Sequence, residues 1–418
     1  MGNISKISRV RELSADFEST LLPLFDARAA ARKPVALQAA MPTVINRVGR
    51  LGLNIYSPQK NVPSYENLLC KEMARRKSEY DTYQTVSSLW FSGYPLKQLT
   101  PEAITELCFR FSNHFSHGTA HNTVRGISTT TSELNTRTLA LLSGLHFNCI
   151  ELTVDASIAG NDRSLDKLKA VVALTRDYPQ IKLKFRIRIG DHTHPLFLSR
   201  LLTHITEIPC RQVEIVCAGN LKDAAGGEQH FTQGLLRQTL RFFQALHWAN
   251  CGNNFFYPPD HPVSALRYQK RLFFTPWGYQ SWLDQSLLGL GVNSVSLISG
   301  EYQRNCANPE TYQQCISENA PLPITCYTLD TQAGDLYEGR QALLCFHQIP
   351  NTARVNNDAI TLLDDKGWLQ TTSGSQADSL SLSEDGLLNL KQVCELLYPT
   401  RKNDSYNVNV YANPEQKE

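Results

Sequence analysis

Asp191, His192 and His194 bring a carboxylate and two imidazoles into the four-residue run DHTH. Those side chains are legitimate ligands for zinc or a similar metal. The run follows the strand-like KLKFRIRIG, so it falls at the carboxyl end of a strand, where βα-barrel sites are built. The competing reading is structural: HTHP also makes a good helix entry, with neighbouring side chains pointing apart. His114, His117 and His121 in NHFSHGTAH have suggestive spacing, but Gly118 ends the helix and scatters them. Cys306-x8-Cys315 matches no familiar metal spacing, and Cys210 and Cys217 straddle a strand start. Neither pair is a nucleophile without a placed base. No P-loop or dinucleotide fingerprint is present.

The 11 cysteines lie scattered along 418 residues without any C-x-x-C, which argues against a disulfide framework. Cys70, Cys108, Cys149, Cys217, Cys345 and Cys394 sit in apolar stretches, where Cys serves as a small core residue. With 41 basic and 39 acidic residues the formal charge is only +2, so no nucleic-acid footprint exists. The start, MGNISKISRVREL, has no apolar signal core, and no run reaches the ~18 apolar residues of a membrane span. The expected location is cytoplasmic.

These side chains need elements to carry them. Six apolar, β-rich runs alternate with helical patterns: 35–41, 86–94, 121–128, 149–156, 182–190 and 211–219. The alternation predicts an α/β fold with a parallel sheet, as a partial (β/α)6 barrel. Thr100-Pro101 caps one helix, Gly144 closes another and Ser164 opens a third. From about Asn250 the rhythm breaks into FFYPPDHP and FFTPWGYQSW. Beyond lies a helix, hairpin, helix order, that of a small winged-helix-like C-terminal domain. The expected division is an N-terminal helical segment (1–32), the barrel (33–255), a barrel extension and linker (256–320), a C-terminal helical domain (321–400) and a disordered tail (401–418).

The run GYQSWLDQSLLGLGVNSVSLISGEYQRNCANPETYQQCI, residues 278–316, closely resembles the corresponding stretch of oxygen-independent coproporphyrinogen III oxidases, radical S-adenosylmethionine enzymes of haem biosynthesis. The likeness extends through SADFESTLL, KPVALQAAMP and LSGLHFNCIELTVD to about residues 14–400. It implies a 4Fe–4S cluster held by C-x3-C-x2-C directly after the first strand. A register fixed by Pro34, Leu37, Pro42 and Gly52 puts Val44, Val48 and Leu51 on those positions. Aliphatic side chains offer no lone pair to iron. The positions implied for S-adenosylmethionine are Gln38, Ser92, Gly93, Arg125, Asp155 and Arg186, and cations at 125 and 186 would repel a sulfonium.

The resemblance therefore implies a degenerate member, a pseudoenzyme without cluster or S-adenosylmethionine chemistry. In that reading it binds a tetrapyrrole such as haem or a porphyrin, with Arg125, Arg186 and Arg188 meeting propionates. The alternative for these arginines is salt bridges to Asp155 or Glu151 inside the barrel. Two other function classes stand beside it: a metal-dependent enzyme built on the DHTH loop, and a non-catalytic partner subunit of another haem-pathway protein.

Overall fold

Leu51, Leu53 and Ile55 alternate with Gly52, Asn54 and Tyr56 in the run RLGLNIYS, the period-two signature of a strand with one face in a core. In the computed structural model this run is β1 (Arg50–Ser57), and the three aliphatics are fully buried against helices. The structure describes residues 50–80, 85–115, 123–157, 162–217, 226–252, 254–275, 278–281, 285–298, 301–327, 331–349, 355, 357–372, 379–398 and 405–409. The run 35–41, expected to be the first strand, and the segment 1–32 lie outside them.

Five further strands follow, each preceded by a helix. They are α1 (Tyr65–Tyr80), β2 (Thr85–Gly93), α2 (Pro101–His114), β3 (Val124–Thr130), α3 (Thr136–Gly144), β4 (Cys149–Asp155), α4 (Asp162–Thr175), β5 (Lys182–Ile189), α5 (Pro195–Thr206), β6 (Cys210–Cys217) and α6 (Gly226–Ala245). β1 to β6 are consecutive parallel neighbours. Thr100 caps α2 by accepting the Ala103 N–H, with Pro101 in the first turn, as the sequence indicates. Ser164 differs, because α4 already begins at Asp162. The helix-facing residues of these strands form one apolar core with the helices.

The stretch expected as a barrel extension and linker contributes strands to the sheet. After β7 (Ala249–Gly252), β8 (Phe255–Tyr257), α7 (Pro262–Tyr268) and the hairpin β9 (Leu272–Thr275) and β10 (Gly278–Ser281), the chain forms β11 (Gln285–Leu290). β11 lies parallel to β1, with Asn54 opposite Gly289. β12 (Val295–Ile298), β13 (Glu301–Arg304), α8 (Pro309–Ser317) and β14 (Pro323–Tyr327) continue the sheet antiparallel. Its outermost strand is β17 (Ser405–Asn409), within residues expected to be a disordered tail. The sheet order is β17-β14-β13-β12-β11-β1-β2-β3-β4-β5-β6-β8-β7.

Helix α9 (Thr331–Phe346), helix α10 (Asn357–Asp365), the hairpin β15 (Leu369–Thr372) with β16 (Ser379–Leu382), and α11 (Glu384–Leu388) with α12 (Leu390–Leu397) complete the fold. The helix, hairpin, helix order read from the sequence is present. A second apolar core joins these elements to β7–β10. Where α11 meets α6, Arg237 pairs with Asp385 at 2.5 Å and Arg241 with Glu384 at 3.1 Å. No helix among the described residues is long and apolar enough to cross a membrane.

Candidate functional site

Side-chain parity decides what the inner face of the parallel sheet carries. In β5, Leu183, Phe185, Ile187 and Ile189 are buried in the core, and Lys184, Arg186 and Arg188 occupy the other face, half-buried. Register then puts Lys184 opposite Glu151 and Arg188 opposite Asp155 in β4, and Arg186 opposite Glu214 in β6. The cations of one strand stand in a row between the carboxylates of its two neighbours.

Arg186 is the centre of this row. Its Nη1 lies 3.1 Å from Glu151 Oε1, and its Nε donates to Glu214 Oε2 at 2.7 Å. Burial opposes the charged guanidinium, but Glu151 and Glu214 outweigh it and raise its pKa. Burial lifts the Glu214 carboxyl above its ordinary value despite the opposing pull of Arg186. Glu151 Oε1 also accepts the Ser128 hydroxyl at 3.0 Å, and Ser128 Oγ accepts the Trp90 indole N–H at 3.2 Å. Lys184 Nζ caps the Trp90 ring 4.8 Å from its centroid, a cation–π contact.

Trp90 lies across the inner face of β3 because Gly126, its cross-strand neighbour, leaves the room. A Cβ on Gly126 would fall 2.0 Å from indole carbons Cε3 and Cζ3. Gly126→Ala is therefore expected to expel the ring, change the near-ultraviolet circular dichroism and cost about 1 to 3 kcal/mol as overpacking does. An unchanged spectrum and urea midpoint would show that Trp90 does not pack there.

The residues singled out in the sequence distribute as follows. Gln38, Val44 and Val48 lie outside the described residues. Leu51 is within β1, not in a loop after it, so the register that aligned it with a cluster ligand is not that of the structure. The segment that does follow β1 runs from Pro58 to Ser64, and the only cysteine before Cys108 is Cys70, buried in α1. In any register, then, no set of three thiolates follows the first strand. A thiolate-held cluster does not fit this donor set.

Ser92 and Gly93 end β2. Arg125 turns the opposite way from the expected one: Nη1 donates to the Leu145 carbonyl at 2.9 Å, on the helix side of β3 near Cys108. It cannot meet a ligand inside. Asp155 accepts the Ser157 N–H and hydroxyl at 3.0 and 2.5 Å, closing the turn after β4. Arg186 forms the salt bridge to Glu151 that the alternative reading named, and the two carboxylates remove the net positive charge expected of it.

The DHTH metal reading is not upheld. Asp191, His192 and His194 are exposed, and among the described residues no three His, Cys, Asp or Glu side chains converge to hold a metal ion. His194 Nδ1 instead accepts the Leu196 N–H at 3.3 Å and caps α5, with Pro195 in the first turn. Thr193 is the buried member of the run and bonds to the Ala156 carbonyl at 2.8 Å.

The sequence reading missed Lys184, Ser128 and Glu214. Lys184 shares the parity of Arg186 and Arg188, and Glu214 is a lone acid in the apolar RQVEIVC, so both left a signal. Ser128 left none.

No protein-family model matches the chain, and no curated protein matches it. Among solved structures it is similar to coproporphyrinogen III oxidase (HemN) from Escherichia coli, described as a radical SAM enzyme, with a TM-score of 0.71. Identity is 16%, and the match covers 84% of this chain and 91% of that one. PhdJ bound to a substrate intermediate (TM-score 0.24, 15% identity, 47% and 64% covered) shares too little geometry to bear on function. The same holds for a putative dihydrodipicolinate synthetase from Pseudomonas aeruginosa (TM-score 0.30, 11% identity, 82% and 98% covered). At 16% identity the likeness establishes a fold, and the chain has the mixed α/β architecture of the Escherichia coli oxidase.

Proposed function

We propose that this chain is a coproporphyrinogen oxidase-like protein without radical chemistry, a pseudoenzyme that acts by binding or regulation in the context of haem biosynthesis. The observation that carries the proposal is the donor set after β1: residues 58–64 contain no cysteine, and the nearest one, Cys70, is buried in a helix. Iron–sulfur clusters are held by thiolates. The ordered parallel run β1 to β6 supports a partial (β/α)6 barrel, and the helix, hairpin, helix order of 357–397 supports a winged-helix-like C-terminal unit. A cytoplasmic location belongs to the same reading.

The ligand proposed is a tetrapyrrole. Its support is the fold likeness, because Arg125 faces helices and Arg186 is held by two carboxylates. The testing experiment is anaerobic reconstitution of the full chain with ferrous iron and sulfide, followed by S-adenosylmethionine and a reductant. Iron and acid-labile sulfide are expected to stay far below stoichiometric, with no 5′-deoxyadenosine formed. Titration of the same protein with coproporphyrin is expected to show micromolar binding. Stoichiometric cluster with 5′-deoxyadenosine overturns the proposal; absence of porphyrin binding removes the ligand and leaves a haem-pathway protein as the partner.

A further inference from the structure

The segment that leaves β1 is fastened to the turn that leaves β2 through one carboxamide. Gln98 ends the short helical turn Pro95–Gln98. Its Nε2 donates to the carbonyls of Pro58 and Lys60 at 2.8 and 2.7 Å, and its Oε1 accepts the Val62 N–H at 3.3 Å. Both donor positions and the acceptor of the amide are thereby used. Beside it the Tyr94 N–H donates to the Ser57 carbonyl at 2.9 Å. Gly93 permits that approach: its φ is +77°, and a Cβ would lie 2.1 Å from the Ser57 carbonyl oxygen.

The far side of the segment is secured as well. Val62 is buried in the main core, and Lys60 Nζ reaches Glu310 at 2.8 Å on α8. The Tyr65 hydroxyl donates to the Tyr56 carbonyl at 2.5 Å. A loop of seven residues, 58–64, is therefore tied at its start, middle and end by this chain's own groups.

We infer that residues 57–62 and 93–98 form a metal-independent clasp over the ends of β1 and β2, held by the Gln98 carboxamide. The inference rests on the proposed non-radical reading and goes further. Each of these ties comes from the chain's own groups, so the clasp needs no ligand to hold the end of the sheet at β1 and β2. Gln98 is a positioning residue.

Hydrogen exchange on the full chain, followed in peptides covering residues 59–62, tests the clasp. Protection is expected to be the same with and without 2,2′-dipyridyl, and unchanged by ferrous iron and sulfide. Gln98→Ala removes three hydrogen bonds and is expected to speed exchange there about tenfold or more, leaving β4 and β5 protected. Gln98→Glu keeps an acceptor for Val62 but sets a carboxylate oxygen against the Pro58 and Lys60 carbonyls, so it is expected to loosen the loop at least as much. Unchanged exchange in both variants overturns the clasp, as does added protection from iron and sulfide. If Gln98→Ala does not fold, Gln98→Glu and the two metal arms on the unaltered protein still decide. A failure of the non-radical reading shows separately, as cluster uptake with 5′-deoxyadenosine formation.

Discussion

Arg186→Ala is expected to destabilise the protein by about 3 to 5 kcal/mol, the usual effect of breaking a buried ion pair from one side. The side chains of Arg186, Glu151 and Glu214 are 26%, 10% and 10% exposed, so water replaces little of what is lost. Two carboxylates are then left facing each other with Lys184 nearby to oppose their charge. The pH dependence has a definite sign. Burial already raises the Glu214 carboxyl, and removing Arg186 takes away the group that opposes that rise. A carboxyl with a raised folded pKa binds its proton more tightly in the native state than in the unfolded chain, so stability falls as pH rises and recovers as pH is lowered from 7 towards 5. Thermal unfolding followed by circular dichroism at both pH values measures this, and Arg186→Ala with Glu214→Gln is expected to regain part of the loss at pH 7. A single variant that melts like the parent at pH 7 would show that the row is solvated and contributes nothing.

Glu72→Ala is expected to cost a comparable amount. Glu72 in α1 is fully buried and accepts from the Gly291 N–H, the Asn305 side-chain amide and the Tyr312 hydroxyl, each at 2.7 Å. Truncation removes an acceptor from three buried donors, of which the Asn305 amide keeps the Gly291 carbonyl and Ser294 Oγ, and a stranded group costs about 1 to 3 kcal/mol. With partial relaxation the total expected is about 3 to 5 kcal/mol, since such losses are not additive. Glu72→Gln keeps one acceptor oxygen and is expected to lose less. A urea titration orders the two variants, and limited proteolysis is expected to cut the Ala variant first within 291–312, the segment whose three anchors end on this carboxylate. Equal midpoints for Ala and Gln would show that the carboxylate is not the shared acceptor.

Five of the six parallel strands were legible because their runs are apolar, rich in β-branched residues and bounded by helix signals. The expected first run, 35–41, lies outside the described residues, and the described strand beside β2 is RLGLNIYS. VALQAAM has the stronger apolar run, whereas RLGLNIYS hides its pattern behind glycine, asparagine and tyrosine on the inner face. Leu51, expected in the loop after the first strand, lies within β1, and the sequence holds no cysteine before Cys70. Arg125 and Arg186 looked equivalent in sequence, yet they stand on opposite faces of the sheet, a matter of one residue of strand parity. The pairing of Arg186 with Glu214 depends on register between strands 28 residues apart in sequence and leaves no local mark. His194 was legible both as ligand and as helix entry; Pro195 behind it was the deciding residue.

The parallel pairing of β1 with β11 also sets a timetable for biosynthesis. Glu72 and Tyr65 in α1 find their partners at Gly291, Val292 and Tyr312 only 219 to 240 residues later. At roughly 5 to 20 residues per second of synthesis, the first strand emerges with one ladder edge unfilled and waits on the order of ten seconds or more for the strand that covers it. A nascent chain stalled before residue 285 presents an apolar β-edge to its surroundings for as long as the stall lasts, the kind of surface on which chaperones act and neighbouring chains aggregate. Completion of the N-terminal half is thus a late event, governed by the arrival of the C-terminal half rather than by its own composition.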